Sequence, residues 1–183
     1  MTVSEFESSP WEEGYRYELI DGRLSVSPSP NPPHDDVWVW LFGLLHEYSQ
    51  AHPKVLARLT PHARVFPRKR PGETNPEPDI TGYQHYLKGT LRSWRQAEPV
   101  LVVEIVSPDD PDKDLFRNVD LYEQVPSIRE YWILDPRDGL ANTTLRVYRR
   151  RGRQWQKPLD VGSGETYSTK LLPGFCLRID PLA

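Results

Sequence analysis

Hydrophobic and polar positions change their spacing several times along the chain, and these changes outline the predicted elements. Residues 15–26 alternate around Asp21-Gly22, a pair that tolerates the positive φ angles of a tight turn, so a β-hairpin is predicted. In residues 34–51 apolar side chains recur at helical spacing: Val37, Leu41, Leu44, Leu45 and Tyr48. Prolines before this segment and acids in its first turn are typical of a helix N-terminus. A long first helix is therefore expected there.

The middle of the chain predicts short strands separated by loops. Residues 100–106 are apolar at both odd and even positions, which indicates a central strand covered on both faces. Before it we expect strand material at 55–66 with a break at Pro61, a basic proline-rich loop at 67–76, a short strand at 78–83, and an irregular or partly helical connection at 84–98.

The last third predicts one more helix and several strands. Asp109-Asp110-Pro111 is a helix start, and Leu115, Val119 and Tyr122 follow at helical spacing, so the helix is expected to reach about residue 125. Strands are predicted at 130–134, 145–150, 154–161, 167–171 and 175–179. The fold class is therefore α/β (α+β): a single domain over residues 1–183 with a mixed β-sheet, a few flanking helices and a C-terminal antiparallel meander. Residues 1–14 and 181–183 are expected to be peripheral.

Composition narrows the class of protein. The chain has 183 residues, of which 37% are hydrophobic and 27% charged, enough for one domain with a sizeable core. No apolar run approaches the roughly 20 residues of a membrane span, and the N-terminus lacks a signal-peptide pattern, so we expect a cytoplasmic protein. Cys176 is the single cysteine, which excludes an intrachain disulfide and a cysteine-based zinc site. The net charge of −3 does not by itself favour nucleic-acid binding.

Glu104 is the sharpest anomaly, because it interrupts an apolar strand with valines two positions away on either side. A carboxylate buried without a partner costs several kcal/mol, so it is expected to pair with a cation or a metal. The alternative is an edge strand on which Glu104 faces water. Asp79 opens the short strand that precedes this one, and strands close in sequence are often neighbours in space. Two adjacent carboxylates repel unless positive charge lies between them, and a hard divalent cation such as Mg²⁺ supplies it.

Several segments, in this order, carry a family resemblance: 17–22 (Tyr-Glu-Leu-Ile-Asp-Gly), 27–30 (Ser-Pro-Ser-Pro) followed by His34, 77–79 (Glu-Pro-Asp), 102–108 (Val-Val-Glu-Ile-Val-Ser-Pro), 122–135, and 172–175 (Leu-Pro-Gly-Phe). Together they resemble the PD-(D/E)XK nuclease superfamily, and within it the restriction-endonuclease branch called the Uma-two family. The similarity covers nearly the whole chain. It implies a restriction-endonuclease-like fold and cleavage of phosphodiester bonds in DNA that depends on Mg²⁺ or Mn²⁺. It also implies that Asp79 and Glu104 hold the metal, with the backbone carbonyl of Ile105 as a third ligand.

The chain departs from the superfamily at the third element of its motif. A lysine two residues after the glutamate is usual, and Val106 stands there. In the resembled branch the lysine lies on the following helix between an aspartate and a tyrosine, which correspond to Asp114 and Tyr122. Asn118 occupies the lysine position, and an amide offers no positive charge.

Other residues are candidates for the same site, each beside a plainer interpretation. Lys113 and Arg117 share a helical face and could replace the lysine, or they could be solvated helix charges. His34 could be a ligand, a proton shuttle or a helix cap. Glu18 could orient the site as an N-terminal acid. Asp114 could hydrogen-bond the site or only favour the helix N-terminus.

Two basic clusters could contact nucleic acid. The first is Arg68-Lys69-Arg70, and the second is Arg149, Arg150, Arg151 and Arg153 with Arg146 beside them, spanning a predicted hairpin tip. They could grip phosphates or be solvated turns. No sequence-reading helix or zinc finger is evident, so no base specificity is predicted.

Three functions stay open from the sequence. The first is a DNA endonuclease, with a homodimer as a means of cutting both strands. The second is a catalytically impaired module of the same fold that binds nucleic acid or protein, which Asn118 and Val106 favour. The third is a metal-dependent hydrolase of another phosphate ester, which the acidic net charge favours.

Overall fold

The chain folds around a mixed β-sheet that lies between helices. The computed structural model describes residues 1–61, 63–68, 70–86 and 94–183. Its helices are α1 (Val3–Ser8), α2 (Pro32–Ala51) and α3 (Asn118–Glu123), with a π-helical turn at Lys113–Arg117 and 3-10 turns at Trp94–Gln96 and Leu140–Asn142. Its strands are β1 (Tyr15–Ile20), β2 (Arg23–Pro28), β3 (Arg58–Thr60), β4 (Ile80–Tyr83), β5 (Leu101–Ile105), β6 (Glu130–Asp135), β7 (Thr144–Arg151), β8 (Gln154–Trp155), β9 (Leu159–Val161), β10 (Thr166–Ser168) and β11 (Cys176–Arg178).

The strand β5 lies in the interior of the main sheet. It pairs antiparallel with β4 and parallel with β6, and all of its residues are buried. In the described ranges the sheet has seven strands, in the order β3-β4-β5-β6-β7-β8, with β9 also paired to β7. The mixed sheet and the central strand are thus confirmed. The alternative of an edge strand is excluded, because β5 has a hydrogen-bonded neighbour on each side.

The two faces of the sheet are covered by different helices. Leu41 and Leu45 of α2 belong to the core cluster that contains Val103 and Ile105 of β5. Tyr122 of α3 belongs to the opposite cluster, with Val102, Val106 and Ile133. Because successive residues of a strand point to opposite faces, the even-numbered Glu104 shares the face that α3 covers. An acid is thereby placed in the middle of an apolar layer.

The hairpin of β1 and β2 forms as predicted. Asp21 and Gly22 both have positive φ, 52° and 73°, the geometry that a two-residue turn with right-handed strand twist requires. A loop segment backs the turn: Gly22 N donates to the Glu73 carbonyl at 2.8 Å, and Asn75 N donates to the Leu19 carbonyl at 2.7 Å. The loop therefore fixes where the hairpin lies.

Several strands are shorter than the pattern predicts. Of the described residues in 55–66, Arg58–Thr60 form the paired strand, because its partner β4 is short and Pro61 follows at once; residue 62 of this prediction lies outside the described residues. The strand expected at 78–83 begins at Ile80, since Pro78 has no amide to donate. The predicted strand 154–161 is two strands that pair with different parts of β7. The last two strands form a small sheet of their own instead of extending the meander.

The helices also differ in detail from the pattern. Asn31 caps α2, its side chain accepting from His34 N at 3.2 Å, so the cap is Asn31 and His34 lies inside the first turn. The second predicted helix has helical backbone over 111–123, but 113–117 adopt the wider π form. The pattern did not predict α1, which buries Phe6.

Two further points complete the fold. Lys69 of the predicted basic loop and residues 87–93 of the predicted irregular connection lie outside the described residues. In the part of the chain that the structure describes, none of the helices has the length and hydropathy that a membrane crossing requires.

A matched pair of glycine substitutions tests the packing of the loop against the hairpin turn. A Cβ on Gly72 would lie 2.5 Å from the backbone carbon of Asp21, whereas a Cβ on Gly43 in α2 meets nothing within 4 Å. We expect Gly72→Ala to lower the free energy of unfolding by about 1–3 kcal/mol, because backbone must move. Gly43→Ala should raise it by about 0.5–1 kcal/mol, because alanine favours a helix interior. Urea unfolding of both variants measures the difference, and equal stabilities would contradict the packing.

Candidate functional site

Asp79 and Glu104 lie side by side at one end of the central strands. Asp79 directly precedes β4, and the antiparallel register Ile80↔Val103 places it across from Glu104 when it is continued by one residue. Hydrogen bonds from the backbone of each segment reach the carboxylate of the other. Asp79 N lies 3.3 Å from Glu104 Oε2, and Ile105 N donates to Asp79 Oδ2 at 2.8 Å. Both side chains are buried, so two carboxylates share a site closed to bulk water.

Asp79 is held by donors from three elements. Arg16 Nη1 of β1 is 2.5 Å from Oδ1, and His34 Nε2 of α2 is 3.1 Å from Oδ2, the oxygen that also accepts from Ile105 N. Burial alone would raise the pKa of Asp79, but the His34 hydrogen bond and the Arg16 charge outweigh it and hold the pKa well below its usual range. Asp79 is therefore ionised at neutral pH.

Glu104 has donors but no cation of its own. Its Oε1 accepts from Tyr122 Oη at 2.5 Å and from Asn118 Nδ2 at 2.9 Å. Burial, followed by the charges of Asp114 and Asp79, raises the pKa of Glu104 well above its usual range. The donors favour the anion while burial and the neighbouring acids oppose it. Added positive charge would settle this conflict in favour of the anion.

The π turn and α3 line the site from the helix side. Asn118 Nδ2 bridges two acids, lying 3.1 Å from Asp114 Oδ1 as well as bonding Glu104. Lys113 Nζ is 3.7 Å from the same Asp114 oxygen. Burial, opposed by the Lys113 charge and reinforced by Asp79, raises the pKa of Asp114 to about 7. Burial would lower the pKa of Lys113, but the surrounding carboxylates raise it, so the ammonium stays charged.

Glu18 and Arg117 tie the hairpin to this helix. Glu18 Oε2 accepts from Arg117 Nη2 at 2.6 Å, and Oε1 accepts from Glu77 N at 2.9 Å. Arg117 Nη1 also donates to Ser25 Oγ at 3.3 Å. Although burial favours the neutral acid, Lys113 and Arg117 lower the pKa of Glu18. The pair fixes the hairpin against the helix.

The cluster holds more buried acids than it has lysine and arginine charges to match. Its acids are Glu18, Asp79, Glu104 and Asp114, and its permanent cations are Arg16, Lys113 and Arg117. A cavity of about 30 Å³ reaches the cluster between Arg16, His34, Ile105, Lys113 and Asp114. Among the described residues, no three His, Cys, Asp or Glu side chains are grouped as a complete metal site.

The structure thus brings together eight predicted site residues with Ile105: Glu18, His34, Asp79, Glu104, Lys113, Asp114, Arg117 and Asn118. Lys113 is not a solvated helix charge, because its side chain is only 12% exposed. The predicted roles of these residues in metal binding and catalysis stay predictions.

The second basic cluster lies elsewhere, on the hairpin of β7 and β8. Arg149, Arg151 and Arg153 are exposed there. Arg150 is committed to the fold: it donates to the carbonyls of Ile128, Tyr122, Val125 and Arg153 and stacks over Trp155 at 4.3 Å.

Arg16 reaches Asp79, yet the sequence pattern did not single it out as a site residue. Tyr122 reaches Glu104, and from the sequence it was named only as the tyrosine of the resembled motif, without a role at the site. Arg16 stands two positions before Glu18 on the same strand, so strand periodicity places both on one face and was the available signal. The signal for Tyr122 was its place one helical turn after Asn118.

The fold is shared with a solved structure. A crystal structure described as that of a "putative nuclease" from Anabaena variabilis matches with a TM-score of 0.72 and 19% identity, over 98% of this chain and 95% of that one. At this identity the likeness shows the fold alone. Comparison with curated proteins finds no match.

A family model covers almost the entire chain. The model of the Uma2 family, described as "Putative restriction endonuclease", matches residues 3–180. This range includes every residue of the acidic cluster, with β5, which carries Glu104, and β4, which Asp79 directly precedes. The chain belongs to the Uma2 family, as the resemblance in its sequence predicts.

Proposed function

We propose that this chain is an endonuclease that hydrolyses phosphodiester bonds in DNA with a divalent cation, Mg²⁺ or Mn²⁺. The observation that carries the proposal is the pairing of Asp79 and Glu104 across neighbouring strands, both buried and both within a cluster that holds more acids than lysine and arginine side chains. Family membership adds support, since the description of the family is "Putative restriction endonuclease".

The residues present fit a hard cation. Carboxylate and carbonyl oxygens are the donors that Mg²⁺ prefers, and it retains several waters, so two carboxylates and the Ile105 carbonyl would suffice. The raised pKa of Glu104 points the same way, because burial beside Asp114 and Asp79 leaves this carboxyl short of positive charge. Since Asp79 already accepts from Arg16, His34 and Ile105, a cation would compete with at least one of these donors.

Each residue has a task that follows from its contacts. Asp79 supplies an anion at neutral pH, and Arg16 and His34 keep its carboxylate oriented. Tyr122 and Asn118 fix Glu104 through its Oε1. A bound divalent cation would lower the pKa of a water and offset charge on the scissile phosphate.

The nucleic-acid partner is inferred from charge. Arg149, Arg151 and Arg153 are exposed on one hairpin and could follow a phosphate backbone. Cleavage of both strands of a duplex takes two sites, which a homodimer would supply.

A second candidate function is nucleic-acid binding without cleavage. Asn118 favours it, because this buried amide stands at the family's lysine position and bridges Glu104 and Asp114. Retained DNA binding together with no cleavage would support this alternative.

The first test is plasmid cleavage with Mg²⁺ or Mn²⁺. We expect Glu104→Gln and Asp79→Asn each to lower the cleavage rate at least about 100-fold, since removing even an indirect metal contact costs 10–100-fold. The matched control is Glu130→Gln, a buried glutamate on β6 that bonds Trp132, Tyr167 and Thr169 and belongs to none of the contacts above. This variant should cleave at the wild-type rate when both proteins are assayed well below their melting temperatures. Equal losses in all three variants would contradict the proposal.

The second test concerns the β7–β8 hairpin. Replacing Arg149, Arg151 and Arg153 with glutamine should weaken binding to a DNA duplex and lower the salt slope by about 0.9 for each phosphate that these arginines neutralise in the wild type. Arg178→Gln, at an exposed site on β11, is the control and should leave the slope unchanged. Fluorescence anisotropy at several salt concentrations measures the slope in Ca²⁺. If the triple variant keeps the wild-type slope, this hairpin does not bind the phosphate backbone.

A further inference from the structure

Lys113 is the least committed cation of the acidic cluster. The guanidinium groups of Arg16 and Arg117 are each bound to a carboxylate, at 2.5 and 2.6 Å. The nearest acid to Lys113 Nζ is Asp114, at 3.7 Å, and no hydrogen bond of this ammonium occurs within the described residues. An ammonium carries three donors, and here they are largely shielded from water without a bound acceptor. Such a group is available to a ligand.

The π turn explains why Lys113 faces the cluster at all. In an α-helix, residues five apart differ by about 140° around the axis, because each residue adds about 100°. Lys113 and Asn118 would then face different directions. The turn Lys113–Arg117 is instead π-helical, and Asn118 N donates to the Lys113 carbonyl. This wider turn brings residues five apart closer to alignment than an α-helix does, and π turns of this kind are frequent at functional sites.

Lys113 lies at a small cavity that leads from the surface to the acidic cluster. Lys113 lines the cavity of about 30 Å³ together with Arg16, His34, Ile105 and Asp114. The cavity is wide enough for a water molecule, and Asp114 of the acidic cluster forms part of its wall. Arg16 and Lys113 are the two lysine or arginine side chains that line this cavity, and Arg16 is already bound to Asp79 through Nη1. Lys113 therefore has the freer donors for the oxygen of an entering anion.

We propose that Lys113 replaces the family's lysine in this chain, by binding a non-bridging oxygen of the scissile phosphate from one π turn earlier on the helix. This inference rests on the proposed function and specifies its substrate contact. Asn118, which lacks a charge, holds Glu104 and Asp114 in place of offering a cation. The raised pKa of Lys113 is consistent with a charged ammonium at neutral pH.

The test compares Lys113→Met, the double variant Lys113→Ala/Asn118→Lys and a control, Lys54→Met, at an exposed lysine just after α2. We expect Lys113→Met to lower Mn²⁺-dependent cleavage about 100-fold, while calorimetry shows Mn²⁺ binding no weaker than in the wild type. The double variant should recover at least about tenfold of that loss, because it returns the charge to the family's usual position. Lys54→Met should match the wild type.

Binding gives a readout that does not need cleavage. In Ca²⁺, the salt dependence of binding to a labelled duplex should have a slope lower by about one in Lys113→Met. Lys113→Arg keeps the charge and should leave the slope unchanged, which also provides a second variant should Lys113→Met fold poorly. Wild-type cleavage with an equal rate in Lys113→Met would overturn the role of Lys113 and leave the proposed function standing. A wild type that does not cleave would overturn the proposed function. In that case an unchanged slope in Lys113→Met would overturn the phosphate contact as well.

Discussion

The arrangement of this molecule depends on one constraint, which is that a carboxylate inside an interior strand must be compensated. Glu104 lies between Val102 and Val106 on the face that α3 covers, where an ionised acid without a partner would cost several kcal/mol. Tyr122 and Asn118 donate to it from the helix, and Asp79 N donates from the neighbouring strand. These groups satisfy its oxygens but bring no charge. The need to compensate Glu104 is therefore built into the sheet, not added by a surface loop.

The elements around the sheet place basic side chains beside the acids from several sides. The hairpin brings Arg16 to Asp79, and it also brings Glu18 to Arg117 on the helix. The hairpin is itself held by the loop that includes Gly72, which lets two backbones touch. Thus a turn far along the chain from the acids determines where one of their cations lies. The contacts that hold the hairpin in the fold are therefore also the contacts that set the electrostatics of the site.

The sequence could predict much of this because its strongest signals are periodic. The interior strand, the long helix and the Asp21-Gly22 turn follow from apolar spacing and turn chemistry, and Glu104 stands out against that pattern. Strand ends could not be predicted, since β3 extends only along the short β4 and β9 pairs with only three residues of the longer β7. The π turn could not be predicted either, because the spacing of Leu115, Val119 and Tyr122 fits an ordinary α-helix. Strand alternation places Arg16 on the face of Glu18, but no local pattern encodes its partner Asp79, which lies 63 residues away.

The proposed role of Lys113 depends on a difference in mobility between the acids and the cations of the site. Asp79 and Glu104 are fixed by strand register, and a shift of one residue would turn either side chain to the opposite face. A lysine has a flexible four-carbon stem, so its ammonium can reach one point in space from more than one backbone position. A local widening of the helix is enough to supply such a second position, and in this chain the widening begins at Lys113. The acidic pair is therefore the part of the site that the fold dictates, whereas the cation beside it can be relocated without altering the sheet.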